Sequence, residues 1–143
     1  MKNMDTELKV EQVYGDYGVY EGTLKYNEKN GLGCYLWYNG NFYNGYWKDD
    51  EMNAFGTLYY AKGGRLRGNF IKGKLNGFGR CNYSCGDCYI GMWSNGEFHG
   101  KGLFYKKEGQ RWVLGDFVNG ELKVKAQDGQ GVPSAISNLK LSV

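Results

Sequence analysis

The chain has 143 residues, 18 Lys and Arg against 15 Asp and Glu, one proline and 24 glycines, and aromatic side chains make up 17% of it. A net charge of +3 with the two signs interleaved does not point to nucleic acid, and no apolar run approaches the roughly 20 residues that span a bilayer. The N-terminal segment lacks the apolar stretch of a secretory signal, so the reading is cytoplasmic.

In chain order, residues 1–19 read as a lead-in or degenerate half-repeat. Leu8, Val10, Gln12 and Tyr14 alternate loosely, and residues 14–18 form a turn. From there a unit copies itself. A central glycine recurs as Gly22, Gly45, Gly68, Gly91 and Gly115, bracketed by Tyr20, Tyr43, Leu66, Tyr89 and Val113 before it and by Leu24, Trp47, Phe70, Trp93 and Phe117 after it. Downstream of each come Gly31 and Gly33, Ala54 and Gly56, Gly77 and Gly79, Gly100 and Gly102. Each unit of about 23 residues holds two short alternating aromatic-rich runs, which predict strands and leave no room for a helix of about ten residues. Asn39-Gly40, Gly63-Gly64 and Gly86-Asp87 are hairpin turn signals. The fold class that follows is all-β: an elongated single-layer antiparallel meander of tandem 23-residue β-hairpin repeats, about ten strands, twisted into an open trough. The array spans 20–121, with four full repeats and a truncated fifth. Residues 122–143 form a capping tail, a short strand or helical turn folding back over the last hairpin.

Period-two alternation puts Tyr43, Gly45 and Trp47 on one face with Gly33, Tyr35 and Trp37, Leu58 and Tyr60, Leu66 and Phe70, Cys81 and Tyr83, Tyr89 and Trp93. Glycine on such a face leaves a hole that a neighbouring ring fills. Asn44, Tyr46, Lys48, Thr57, Arg67, Asn69 and Arg80 give the opposite face a more polar character.

Tyr43-Asn44-Gly45-Tyr46-Trp47, Tyr89-Ile90-Gly91-Met92-Trp93 and His99-Gly100-Lys101-Gly102, repeated in register over residues 14–121, closely resemble the MORN repeat (membrane occupation and recognition nexus). The resemblance implies a non-enzymatic scaffold or adaptor in a membrane-associated, cytoskeletal or ciliary assembly.

A single-layer sheet has nothing of its own to roof an aromatic face. The expected partner-binding residues are therefore Tyr20, Tyr35, Trp37, Tyr43, Trp47, Tyr60, Tyr83, Tyr89 and Trp93, taking a helix or extended peptide of a protein partner along the groove. Scattered Lys and Arg give an alternative reading, a module for acidic phospholipid. An uncovered strand edge leaves homodimerisation open.

Three features are read without assigning them chemistry. Cys81, Cys85 and Cys88 have cluster-like spacing but sit in repeat register at a hairpin tip, so neither metal nor cofactor is assigned. His99 occupies a column with Asn30, Asn53 and Asn76, which reads as turn chemistry suited to the left-handed region and not as a catalytic base. Gly-x-Gly without a following Lys-Ser/Thr is no phosphate loop. No catalytic residue is assigned.

Overall fold

The computed structural model describes residues 9–138. The parts of the expected lead-in and tail at 1–8 and 139–143 lie outside the described residues. Eleven strands form one sheet in chain order: β1 (Lys9–Tyr14), β2 (Gly18–Lys25), β3 (Glu28–Trp37), β4 (Phe42–Lys48), β5 (Glu51–Tyr59), β6 (Gly64–Ile71), β7 (Lys74–Tyr83), β8 (Cys88–Ser94), β9 (Glu97–Lys106), β10 (Arg111–Val118) and β11 (Glu121–Gln130), followed by one helical turn, α1 (Ser134–Asn138). Every strand pairs antiparallel with its sequence neighbour, as an uninterrupted meander requires.

Cross-strand register aligns the repeat columns into rows. Nine glycines, Gly22, Gly33, Gly45, Gly56, Gly68, Gly79, Gly91, Gly102 and Gly115, face one another strand by strand. Beside them runs Tyr20, Tyr35, Tyr43, Leu58, Leu66, Cys81, Tyr89, Phe104 and Val113. The bare glycine backbone lets the tyrosines lie down on it. A Cβ on Gly33, Gly56 or Gly102 would stand 2.6, 2.6 or 2.5 Å from Cε2 of Tyr20, Tyr43 or Tyr89.

The register slips once in each of the first four hairpins, beside Gly22, Gly45, Gly68 and Gly91, and twice in the fifth. Bulges repeated at one position bend a sheet in one sense. The sheet accordingly curls towards its aromatic face, and rings two strands apart, about 10 Å in a flat sheet, come together. Tyr20 meets Trp47 at 5.6 Å, Tyr43 meets Phe70 at 5.4 Å and Tyr89 meets Phe117 at 5.1 Å, all near perpendicular. The inner face is thus sealed largely by its own rings, with no second layer among the described residues.

The connections alternate in kind. Between β2 and β3, β4 and β5, β6 and β7, β8 and β9, and β10 and β11 the loop is two residues, both with positive φ: Tyr26-Asn27, Asp49-Asp50, Lys72-Gly73, Asn95-Gly96 and Asn119-Gly120. These twist-matched turns hold the hairpins tight. The glycine turns predicted at Gly40, Gly63 and Gly86 close the other edge, with N–H bonds to the carbonyls of Trp37, Tyr60 and Tyr83 at 2.9 Å each.

The Asn/His column acts differently from the expectation. The residues with positive φ are the ones that follow, Gly31, Ala54, Gly77 and Gly100. The side chains of Asn30, Asn76 and His99 instead accept the backbone N–H of the next repeat's tight turn, from Asp49 at 3.2 Å, Asn95 at 3.0 Å and Asn119 at 3.4 Å. They stitch repeat to repeat.

At the C-terminal end, β11 extends the sheet by a strand and α1 lies on the outer face, where Ile136 joins Cys88, Ile90 and Tyr105 in a small core with Leu103 and Trp112. The outer face is less polar than the sequence suggested. Leu32, Phe55 and Phe78 are exposed on it because the middle residue of these Gly-x-Gly or Ala-x-Gly runs points outward, and Tyr46 and Met92 are exposed beside them as the cross-strand partners of Leu32 and Phe78.

Candidate functional site: the inner-face hollow of the third and fourth repeats

Strand parity brings all nine candidate aromatic residues to the inner face, but the curl of the sheet divides them. Tyr20, Tyr43, Trp47, Tyr89 and Trp93 are buried, Tyr43 and Tyr89 completely. The tyrosine hydroxyls are also satisfied internally: Tyr20, Tyr43 and Tyr89 donate to the carbonyls of Thr23, Tyr46 and Met92 at 2.7, 2.9 and 2.8 Å. Trp47 donates its indole N–H to the Gly33 carbonyl at 3.1 Å. The expectation of free, partner-facing rings is therefore corrected for these five. They form the core, since each loses more water-exposed area by packing on its neighbours than a flat sheet would allow. Tyr35 and Trp37 remain half-buried, and Tyr60 and Tyr83 are 39% and 44% exposed.

The first repeat is filled by a cation. The Lys29 ammonium stands 5.7, 5.4 and 5.3 Å from the rings of Tyr20, Tyr35 and Trp47, and 3.1 Å from an Asp50 carboxylate oxygen. Later repeats place Met52, Leu75 and Phe98 at this position. Phe98 stacks flat on Tyr89, with centroids 3.8 Å apart. Each tyrosine thus has a lid.

The third repeat breaks the pattern, because Leu66 stands where the other full repeats carry tyrosine and its lid is Leu75. No phenol covers Gly79. Trp93 leans over it instead, with Nε1 3.0 Å from where a Cβ would be. In that position the Trp93 N–H has no acceptor among the described residues, whereas the equivalent Trp47 bonds to Gly33. A hollow of about 550 Å³ opens here, lined by Tyr60, Leu66, Cys81, Tyr83, Trp93 and Phe98 and reaching Glu97 at the opposite edge.

The hollow is electrically quiet. Burial pushes the Cys81 thiol up to about 11, an effect partly offset by the neighbouring Tyr83 hydroxyl. Burial and the neighbouring Cys81 push Tyr83 up to about 12 and raise Tyr60. All three are neutral at physiological pH, and Glu97 is the one charged residue among those lining the hollow. Such a surface suits an apolar side chain with few polar contacts.

The three clustered cysteines do not converge. Strand alternation puts Cys81 on the inner face and Cys88 in the outer core under Ile136, and Cys85 is exposed at the tip. Among the described residues no group of three potential metal ligands gathers. Leu66, Cys81 and Phe98 were not expected as site residues. The signal for them was the single leucine in the column Tyr20, Tyr43, Leu66, Tyr89.

A sheet built only of tandem hairpins in one open layer, stitched repeat to repeat, defines a β-repeat protein whose usable surface is the face of the array. The MORN repeat family model matches residues 20–42, 43–65, 67–87 and 89–111, and the chain belongs to the MORN-repeat family. MORN repeats are protein and membrane-lipid interaction modules. No match to the chain is found among curated proteins.

Proposed function

We propose that this chain is a non-enzymatic interaction module that takes a helical or extended segment of a protein partner on its inner face, at the hollow of the third and fourth repeats. The observation that carries this is the Leu66 break: the one full repeat lacking its tyrosine is where the self-sealing face stays open, ringed by Tyr60, Tyr83, Trp93 and Phe98. Exposed apolar surface with a few polar groups at its rim is the usual form of a peptide-docking site. Its role as a scaffold or adaptor in a membrane-associated, cytoskeletal or ciliary assembly is supported by family membership.

The test places a photo-crosslinking phenylalanine at position 83, and at position 46 on the outer face as control, in native lysate. One dominant adduct is expected from position 83, absent from position 46 and lost when Leu66→Tyr closes the hollow. An adduct that survives Leu66→Tyr, or none at all, overturns the proposal.

A second reading, binding of acidic phospholipid, is favoured by a different observation on the outer face. Arg65 and Arg67 are half-exposed neighbours on β6, Arg80 across from Arg67 is buried and bonded to Asn82, and among the described residues no carboxylate lies within ion-pair distance of Arg65 or Arg67. The Arg67 guanidinium lies 5.2 Å over the exposed Phe55 ring. Sedimentation with vesicles containing phosphatidylserine supports this reading if Arg65→Glu with Arg67→Glu abolishes it, and equal sedimentation of both forms removes it.

A further inference from the structure

The hollow also says what sort of side chain fits it. Resting on the reading that it is a partner site, we propose that the partner anchors there through an aryl side chain, a tyrosine or phenylalanine, that supplies the ring the third repeat lacks.

The array's own construction carries this. Wherever a repeat is complete, a phenol ring lies on a glycine and meets a second ring two strands away nearly at right angles, as in Tyr20 with Trp47, Tyr43 with Phe70 and Tyr89 with Phe117. The missing member of that series is the pair formed by positions 66 and 93. Residue 66 is a leucine, and Trp93 has no ring partner from β6. The rings that would surround a guest are already in place, with Trp93 and Phe98 on one side and Tyr60 and Tyr83 on the other. Edge-to-face contacts with such rings favour an aryl guest over an aliphatic one of equal size.

The neutral thiol and hydroxyls around the hollow, together with its narrow charged margin at Glu97, disfavour a phosphorylated or otherwise anionic anchor.

The probe is p-cresol, the side chain of tyrosine with its Cβ, and 4-methylcyclohexanol, its saturated counterpart with the same heavy atoms, is the aliphatic control. Both are titrated into the ¹⁵N-labelled full chain while the Trp93 indole resonance is followed. A saturable shift with p-cresol is expected, with Kd on the order of 1 mM as suits so small a ligand. Binding of 4-methylcyclohexanol should be about tenfold weaker, and Leu66→Tyr should weaken p-cresol binding at least about tenfold. Leu66→Phe serves as a second closing variant with the same expectation, and circular dichroism confirms that each variant is folded. Equal binding of the two ligands, or unchanged p-cresol binding in both closed variants, overturns the aryl anchor. A crosslink at position 83 with no p-cresol binding overturns the anchor chemistry but keeps the partner site, and no crosslink at position 83 overturns both.

Discussion

The phenol ring of Tyr43 lies against the bare backbone of Gly56, so closely that a Cβ on that glycine would stand 2.6 Å from Tyr43 Cε2. The two belong to facing strands, and Gly45, directly across from Gly56, would place its own Cβ 2.7 Å from the same hydroxyl oxygen. The contact explains why aromatic residues and glycines recur together, since the glycine row is the bed on which the tyrosines lie.

Gly56→Ala should therefore cost about 3 kcal/mol, the upper range for overpacking a filled interior. Gly109→Ala is the comparison. Its φ is +79° but nothing lies within 4 Å of the added carbon, so the cost is that of the left-handed backbone alone, about 1 kcal/mol. Urea denaturation of both variants checks this, and equal losses would mean that ring-on-glycine packing does not hold the array together.

Ala54 sits at φ +60°, where the equivalent residues Gly31, Gly77 and Gly100 are glycines with positive φ. An alanine there pays a steric penalty that glycine does not, partly returned through the looser unfolded chain. Ala54→Gly should stabilise the protein by about 0.5 to 1 kcal/mol, read as a higher urea midpoint at unchanged slope. A lower midpoint would show that the bulge in β5 is not strained.

Alkali should unfold the array through its tyrosines. Burial pushes Tyr20, Tyr83 and Tyr89 up to about 12 and Tyr43 still higher. An unfolded tyrosine releases its proton near 10. The folded state holds these protons more tightly, so their contribution is complete below about pH 10 and is lost as pH rises towards 12. The melting temperature should be level from neutral pH to about 10 and fall steeply beyond it. Thermal scans across this window decide the matter, and a level profile to pH 12 would contradict the burial of these hydroxyls.

The cysteines should react in a fixed order. Cys85 is exposed, Cys34 is half-buried with a thiol raised by burial, and Cys81 and Cys88 are buried with thiols raised by burial. The thiolate is the reactive form. Iodoacetamide at neutral pH should modify Cys85 first and leave Cys81 and Cys88 intact until the chain unfolds, as peptide mass spectrometry would show. A chain in which all label together would have an open β7–β8 hairpin.

Much of this was legible in the residues because a strand's facing is local. The spacing of Gly22, Gly45, Gly68 and Gly91 gives the repeat, and parity alone places Tyr43, Trp47, Tyr35 and Trp93 on one side. The Gly-x-Gly columns carry the bulges, although it took backbone geometry to show that Ala54 and Gly77, not Asn53 and Asn76, adopt the left-handed conformation.

What the sequence by itself determined is the hairpin array, its period and the side on which each ring stands, since all three follow from contacts between neighbouring residues and neighbouring strands. Only the tertiary structure decided which rings are free. The curl set by the bulges carries Tyr20 to Trp47 and Tyr43 to Phe70 across an intervening strand, burying rings that a flat sheet would leave in water. The same curl, meeting a leucine at position 66 and not a tyrosine, leaves a hollow unfilled on the inner face, and the contact of Ile136 with Cys88 and Tyr105 likewise depends on α1 returning over the outer face.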